Sequence, residues 1–187
     1  LKKLLFVGRL VYYKGVDVLL RAFARTEGCA LFLAGEGVLE PQLRQEAQEL
    51  GVADRVFFLG RLSDSDLRAA FRDCDLFVLP SVANSEAFGI VQLEAMVYGK
   101  PVINTALPTG VPLVSLDGET GLTVPPGDEN ALADAIRTLA EDDDRREAYG
   151  AAAQRRVLEE FELHSMIDRV YRVLADHIET EERGMDK

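Results

Sequence analysis

Six apolar runs of strand length recur along this chain, at residues 3–7, 30–34, 55–59, 76–79, 101–104 and 121–124. They are apolar throughout rather than alternating, as parallel strands covered on both faces must be. Helical patterns separate them, at 17–26, 41–50, 64–74 and 88–98. Strand and helix in alternation predict an open, doubly wound parallel sheet with helices on both faces. Three further helices are expected near 129–140, 145–160 and 163–178, and residues 179–187 read as a charged, frayed tail. Residues 1–178 then form one domain. Ser63 with Asp66 resembles a capping box in which Asp replaces Glu. Gly51 and Gly99 follow periodic segments, where helices stop. In such sheets ligands bind beyond the carboxyl ends of the strands, near the switch in strand order, so chemistry is sought in the loops that follow the strands.

Bulk properties narrow the partners. The 187 residues are 48% apolar, enough for one domain with a real core. The net charge of -11 repels phosphate backbones and anionic lipid, which argues against nucleic acid and against broad membrane docking. It leaves room for one small phosphorylated ligand held by local cations and helix ends. Cys29 and Cys74 are far apart and read as buried free thiols. His164 and His177 have no partner at metal-ligand spacing. No apolar run is long enough for a membrane span. The chain opens directly on LLFVG without a Met, which raises the expectation of a separate N-terminal domain.

Two segments carry chemistry. In GRLVYYKG, Gly8 ends the first strand run, and Arg9 and Lys14 follow before a helix. Arg offers a planar fork of donors and Lys a point charge, a pairing that can hold a diphosphate; the same loop is also compatible with two solvated surface cations. In SEAFGIVQLEAMVYGKPV, Glu86 precedes a helix expected to begin at Phe88, and Glu94 lies about two turns in, roughly 9 Å from the helix start. Backbone N–H groups near Gly89, Ile90 and Val91 lie between the two carboxylates and favour phosphate. Each carboxylate can accept hydrogen bonds from paired hydroxyls, such as a ribose diol or a hexose presents. A capping Glu and an exposed helical Glu would have the same spacing.

GRLVYYKG, AGEG, FLGRL, SEAFGIVQLEAMVYGKPVI and DGETGLTVPPGD occur in this order. Together they resemble the C-terminal domain of the large retaining glycosyltransferase family called family four, of the two-lobed GT-B architecture. The resemblance covers almost the whole chain and implies a Rossmann-like α/β domain that binds a nucleotide diphosphate sugar, GDP- or UDP-linked. It implies that Arg9 and Lys14 hold the donor diphosphate, that Glu86 contacts the transferred sugar and that Glu94 contacts the ribose. Arg9, Lys14 and Glu86 become the candidate catalytic residues. Gly8 and Gly35 match glycines at strand ends. Leu59, Gly60 and Arg61 match the segment beside the base, and Phe88, Gly89, Ile90 and Val91 match backbone contacts to sugar and phosphate. The family implies no metal, no cofactor and no protein nucleophile in this half. It places the acceptor site in an N-terminal domain that lies outside this chain, and the enzyme in the cytoplasm or at the inner face of the membrane.

The chain departs from the family after the fifth strand run. Many relatives carry Gly-Gly-x-x-Glu there; this chain has TALPTGVPLVS, with no acid at Pro112, Leu113 or Val114. FELHSMI also lacks an aromatic often found in that segment. Three D-x-D strings, at 64–66, 73–75 and 142–144, read as chance matches in an acidic chain rather than metal sites. AGEG lacks the third glycine of the dinucleotide fingerprint, since Glu40 stands in its place. The rival functions are a non-catalytic nucleotide-sugar-binding module and a nucleotide-sugar epimerase or phosphorylase of the same fold.

Overall fold

The computed structural model describes residues 1–161 and 167. Six strands form one all-parallel sheet in the order β3-β2-β1-β4-β5-β6. They are β1 (Lys2–Val7), β2 (Cys29–Ala34), β3 (Val56–Gly60), β4 (Leu76–Val78), β5 (Val102–Thr105) and β6 (Gly121–Val124). The expected helices appear as α1 (Val16–Phe23), α2 (Glu40–Glu49), α3 (Asp64–Asp73), α4 (Val91–Val97), α6 (Glu129–Glu141) and α7 (Asp143–Arg156). A short α5 (Val111–Val114) was not anticipated; four residues are too few to show a helical period. Apart from residue 167, the helix expected at 163–178, together with the tail, His164 and His177, falls outside the described residues.

Continuous apolar strands serve two cores because successive side chains point to opposite faces. In β1, Leu4 and Phe6 enter the core under α1, α2 and α6, while Leu5 enters the core under α3, α4, α5 and α7. Phe23, Leu43 and Ile136 fill the first core; Phe71, Phe77, Met96 and Val111 fill the second. Arg21 ties the first layer together through Asp17, Glu46 and Glu129. Cys29 and Cys74 are free thiols buried in these two cores, and burial pushes the Cys74 thiol up to about 12.

Helix ends follow their local chemistry. Ser63 caps α3 by accepting from the Asp66 N–H, and its hydroxyl donates to the Asp66 carboxylate. The shorter Asp thus takes the cap's hydroxyl, where a capping-box Glu would reach its backbone N–H. Asp142 caps α7 by accepting from the Arg145 N–H, so that helix begins two residues earlier than expected. It runs to Arg156 and gives way to a π-helical turn, Val157–Phe161.

Candidate functional site

The strand order reverses between β1 and β4, and the loops leaving these two strands meet. After β1 the chain makes a 3-10 turn, Tyr12–Lys14, and then Gly15 at φ 65°. A Cβ on Gly15 would stand 2.1 Å from the Pro80 carbonyl oxygen, so only glycine lets the β1 and β4 loops close on each other. The Val82 N–H donates to the Tyr13 carbonyl at 2.9 Å across the same seam.

This closure brings Lys14 to Glu86. Lys14 Nζ donates to Glu86 Oε2 at 2.5 Å, and the Ser81 hydroxyl donates to the same oxygen at 3.0 Å. Lys14 and Glu86 are 9% and 8% exposed, so the pair is largely desolvated and each charge depends on the other. No hydrogen bond among the described residues uses Glu86 Oε1, which leaves that oxygen as an acceptor. Lys14 is therefore not a solvated surface cation, and the two groups expected to act separately form one unit.

Arg9 is exposed and donates through Nη2 to the Tyr13 hydroxyl at 2.9 Å. The Tyr13 ring lies 5.9 Å from the Arg9 guanidinium carbon and 5.6 Å from Lys14 Nζ, near the outer limit of cation–π attraction. Sequence reasoning missed Tyr13; its place between the two cations in GRLVYYKG was the available signal. Arg9 and the backbone of Gly8 line a cavity of about 470 Å³ with Val7, Ala34, Gly35, Glu36, Arg61, Leu62 and Leu67. The Lys14 ammonium packs over Gly8, 3.6 Å from where a Cβ would stand. Gly8 thus separates the cavity from the Lys14–Glu86 pair by a single residue's width. Loop-to-loop bonds shape the rim: Leu10 N–H to Glu36 O, and Gly35 N–H to Gly60 O. Leu59 lines a different cavity on the same face of the sheet, with Lys3, Leu5 and Phe32. Of the three residues expected beside a base, Arg61 lines the main cavity and Gly60 is tied to it by its bond to Gly35. Leu62 and Leu67 were not foreseen.

The helix expected from Phe88 begins at Val91 instead. Gly89 holds φ 69°, a left-handed conformation that cannot continue into a right-handed helix, so Phe88, Gly89 and Ile90 form a loop. Their N–H groups, with that of Val91, are used by no hydrogen bond among the described residues. The later start puts Glu94 in the first turn of α4, not two turns in. Glu94 lines a depression of about 300 Å³ with Asp64, Arg68, Phe71 and Tyr98, and this depression shares Leu67 with the main cavity. Glu94 is exposed, yet the burial it does have pushes its carboxyl above the usual range.

A buried amide pair supports the glycine loop from below. Gln92 and Asn104 are 0% and 1% exposed. Gln92 Nε2 donates to the Phe88 carbonyl at 3.1 Å, and Gln92 Oε1 accepts from Asn104 Nδ2 at 2.9 Å. Asn104 Oδ1 accepts from the Thr123 hydroxyl at 2.7 Å, so β5 and β6 are linked to the loop. The segment that replaces Gly-Gly-x-x-Glu forms α5. Gly110 N–H donates to Ala87 O at 2.8 Å, and Arg156 donates to the carbonyls of Leu113 and Val114. Leu113 is 64% exposed and carries no acid to the site. The Phe161 ring meets Phe88 edge-on at 6.1 Å.

The family model described as "Glycosyl transferases group 1" matches residues 1–156. The chain is 38% identical to the O-antigen chain mannosyltransferase C of Escherichia coli over 164 residues, which is 88% of this chain and 44% of that protein. It is 41% identical to a D-rhamnosyltransferase of Pseudomonas aeruginosa over 152 residues, 81% of this chain and 39% of that one. Among solved structures, Anabaena HepE in complex with UDP superposes with a TM-score of 0.81 at 29% identity, over 93% of this chain and 48% of that one. The chain spans less than half the length of these relatives.

Proposed function

The chain belongs to the glycosyl transferases group 1 family, and we propose that it is the donor-binding half of a retaining enzyme that moves a hexose from a UDP- or GDP-linked sugar to an acceptor hydroxyl. The observation that carries this reading is the Lys14–Glu86 pair, set one residue from a cavity that holds Arg9. In this reading the nucleoside occupies the cavity between Gly8, Gly35, Arg61 and Leu67, with its ribose towards Glu94. The diphosphate lies across Gly8, between Arg9 and the two remaining protons of the Lys14 ammonium. The free Oε1 of Glu86 accepts from a hydroxyl of the sugar. Negative charge grows on the diphosphate as the glycosidic bond breaks, and Arg9, Lys14 and the unused N–H groups of the glycine loop stabilise it. The chemistry assigns no step to a metal or cofactor in this half.

Relatives named for mannosyl and rhamnosyl transfer, one of them in O-antigen chains, support a role in bacterial polysaccharide or glycolipid assembly. The acceptor site belongs to an N-terminal lobe outside this chain, and the enzyme works in the cytoplasm or at the inner face of the membrane. No helix among the described residues is long and apolar enough to cross a membrane. A thermal-shift panel of UDP-, GDP- and ADP-sugars on the 187-residue chain tests the reading. A shift is expected with UDP- or GDP-sugars, and Glu94→Ala removes it. No shift with any of the three classes would sink the assignment.

A further inference from the structure

We infer that Ser81 is a positioning residue that sets the plane of the Glu86 carboxylate, turning Oε2 to Lys14 and leaving Oε1 for a hydroxyl of the transferred sugar. The inference rests on the donor-site reading above and names a residue to which that reading gave no part.

The terminal torsion of a Glu side chain is broad and roughly two-fold. One bond to Lys14 does not fix it, because an ammonium on a flexible stem follows the carboxylate as it turns. A second donor on the same oxygen, from a rigid base, does fix it. Ser81 supplies that donor at 3.0 Å. Its own backbone is pinned: the Ser81 carbonyl accepts from the Thr105 hydroxyl at 2.6 Å, and Pro80, the residue before it, packs its carbonyl against Gly15. Ser81 is fully buried and Thr105 is 2% exposed, so neither reaches a ligand directly. A chain of bonds therefore runs from β5 through Ser81 to Glu86, entirely behind the site. Lys14 and Ser81 occupy one carboxylate oxygen and leave the other to a ligand.

Saturation-transfer NMR on the 187-residue chain, with UDP-glucose and GDP-mannose as probes and UDP and GDP as references, reads sugar and nucleoside contacts separately. Ser81→Ala should leave diphosphate affinity within about twofold. It should lower hexose saturation relative to ribose H1′ about fivefold, the scale of one ordinary hydrogen bond weakened by misalignment. In a Glu86→Gln background the same change should have little further effect. Thr105→Val, which keeps side-chain volume, should act in the same direction more weakly, and it decides the matter by the same ratio should Ser81→Ala fail to fold. An unchanged hexose-to-ribose ratio in these variants, or an equal fall of both signals, would overturn the positioning role. If the parent chain binds neither probe, the donor reading falls and this inference with it. Binding by the parent with an unmoved ratio in the variants removes only this inference.

Discussion

Lys14 and Glu86, 72 residues apart in sequence, act as one residue in the fold. A buried ion pair contributes little net stability, but removing one partner strands the other charge. Lys14→Met should therefore cost about 3 kcal/mol in urea unfolding, and adding Glu86→Gln should restore most of that loss. Additive effects of the two changes would mean the pair is not coupled in solution. Glu94 makes a different statement because burial raises its carboxyl pKa. A group whose folded pKa lies above its unfolded value adds stability below the ordinary carboxylate range, and that contribution is lost as pH rises through the raised value. In the proposed donor site, ribose hydroxyls donating to the ionised carboxylate would reverse the preference. Nucleoside diphosphate should bind more tightly as pH rises through this window, with protons released on binding. Calorimetry in two buffers of different ionisation enthalpy measures that release, and Glu94→Gln should abolish it.

At the scale of elements, α4 shows how one residue redraws a site. The apolar period reaches back to Phe88, but Gly89 at φ 69° makes the helix start three residues later and leaves a loop with unused N–H groups. A Cβ there would come 2.5 Å from Leu79 Cδ2 and 2.9 Å from Gln92 Nε2. Gly89→Ala should thus cost about 1–3 kcal/mol of stability and weaken diphosphate binding, because relief requires the loop or the Gln92–Asn104 pair to move. A chevron or equilibrium urea curve matching the parent would show that the left-handed turn is dispensable. The short α5 matters in the same way. It closes over the glycine loop through Gly110 and is held from α7 by Arg156, so the segment that departs from the family pattern keeps a structural task without an acid.

The whole molecule is a sheet with two filled cores and a cleft open at the strand ends. Arg9, Ile90 and Leu113 are exposed along the α4 and α5 loops and the β1 loop. On the donor-half reading this cleft holds the nucleotide, and the acceptor is seated by the proposed N-terminal lobe. On that reading the 187-residue chain should bind nucleoside diphosphate weakly and transfer no sugar, whereas an enzyme that also carries the proposed N-terminal lobe should do both. Radiolabelled donor with lipid or oligosaccharide acceptors checks this, and turnover by the chain alone would overturn the half-enzyme assignment.

Local physics made the architecture legible from sequence. Apolar runs without alternation need cover on two faces, and helical periods between them supply it, so six strands and six of the seven described helices were placed within a few residues. Arg9, Lys14, Glu86 and Glu94 stood out only through the order of the five segments that resemble the family, since their own spacing fitted surface charges equally well; the fold buries two of them, Lys14 and Glu86, against each other and leaves Arg9 and Glu94 exposed. Contacts across sequence distance were not legible. The Lys14–Glu86 pair, Ser81 behind it and the Gln92–Asn104 amides depend on how closely two loops pack, and Gly15 decides that closeness through a carbonyl 65 residues away. Helix α4 looked longer because periodicity registers side chains and is blind to a glycine's φ. Composition and spacing determined which residues face the strand ends; only tertiary packing decided which of them touch, because a 2.5 Å hydrogen bond is set by backbone approach rather than by order along the chain.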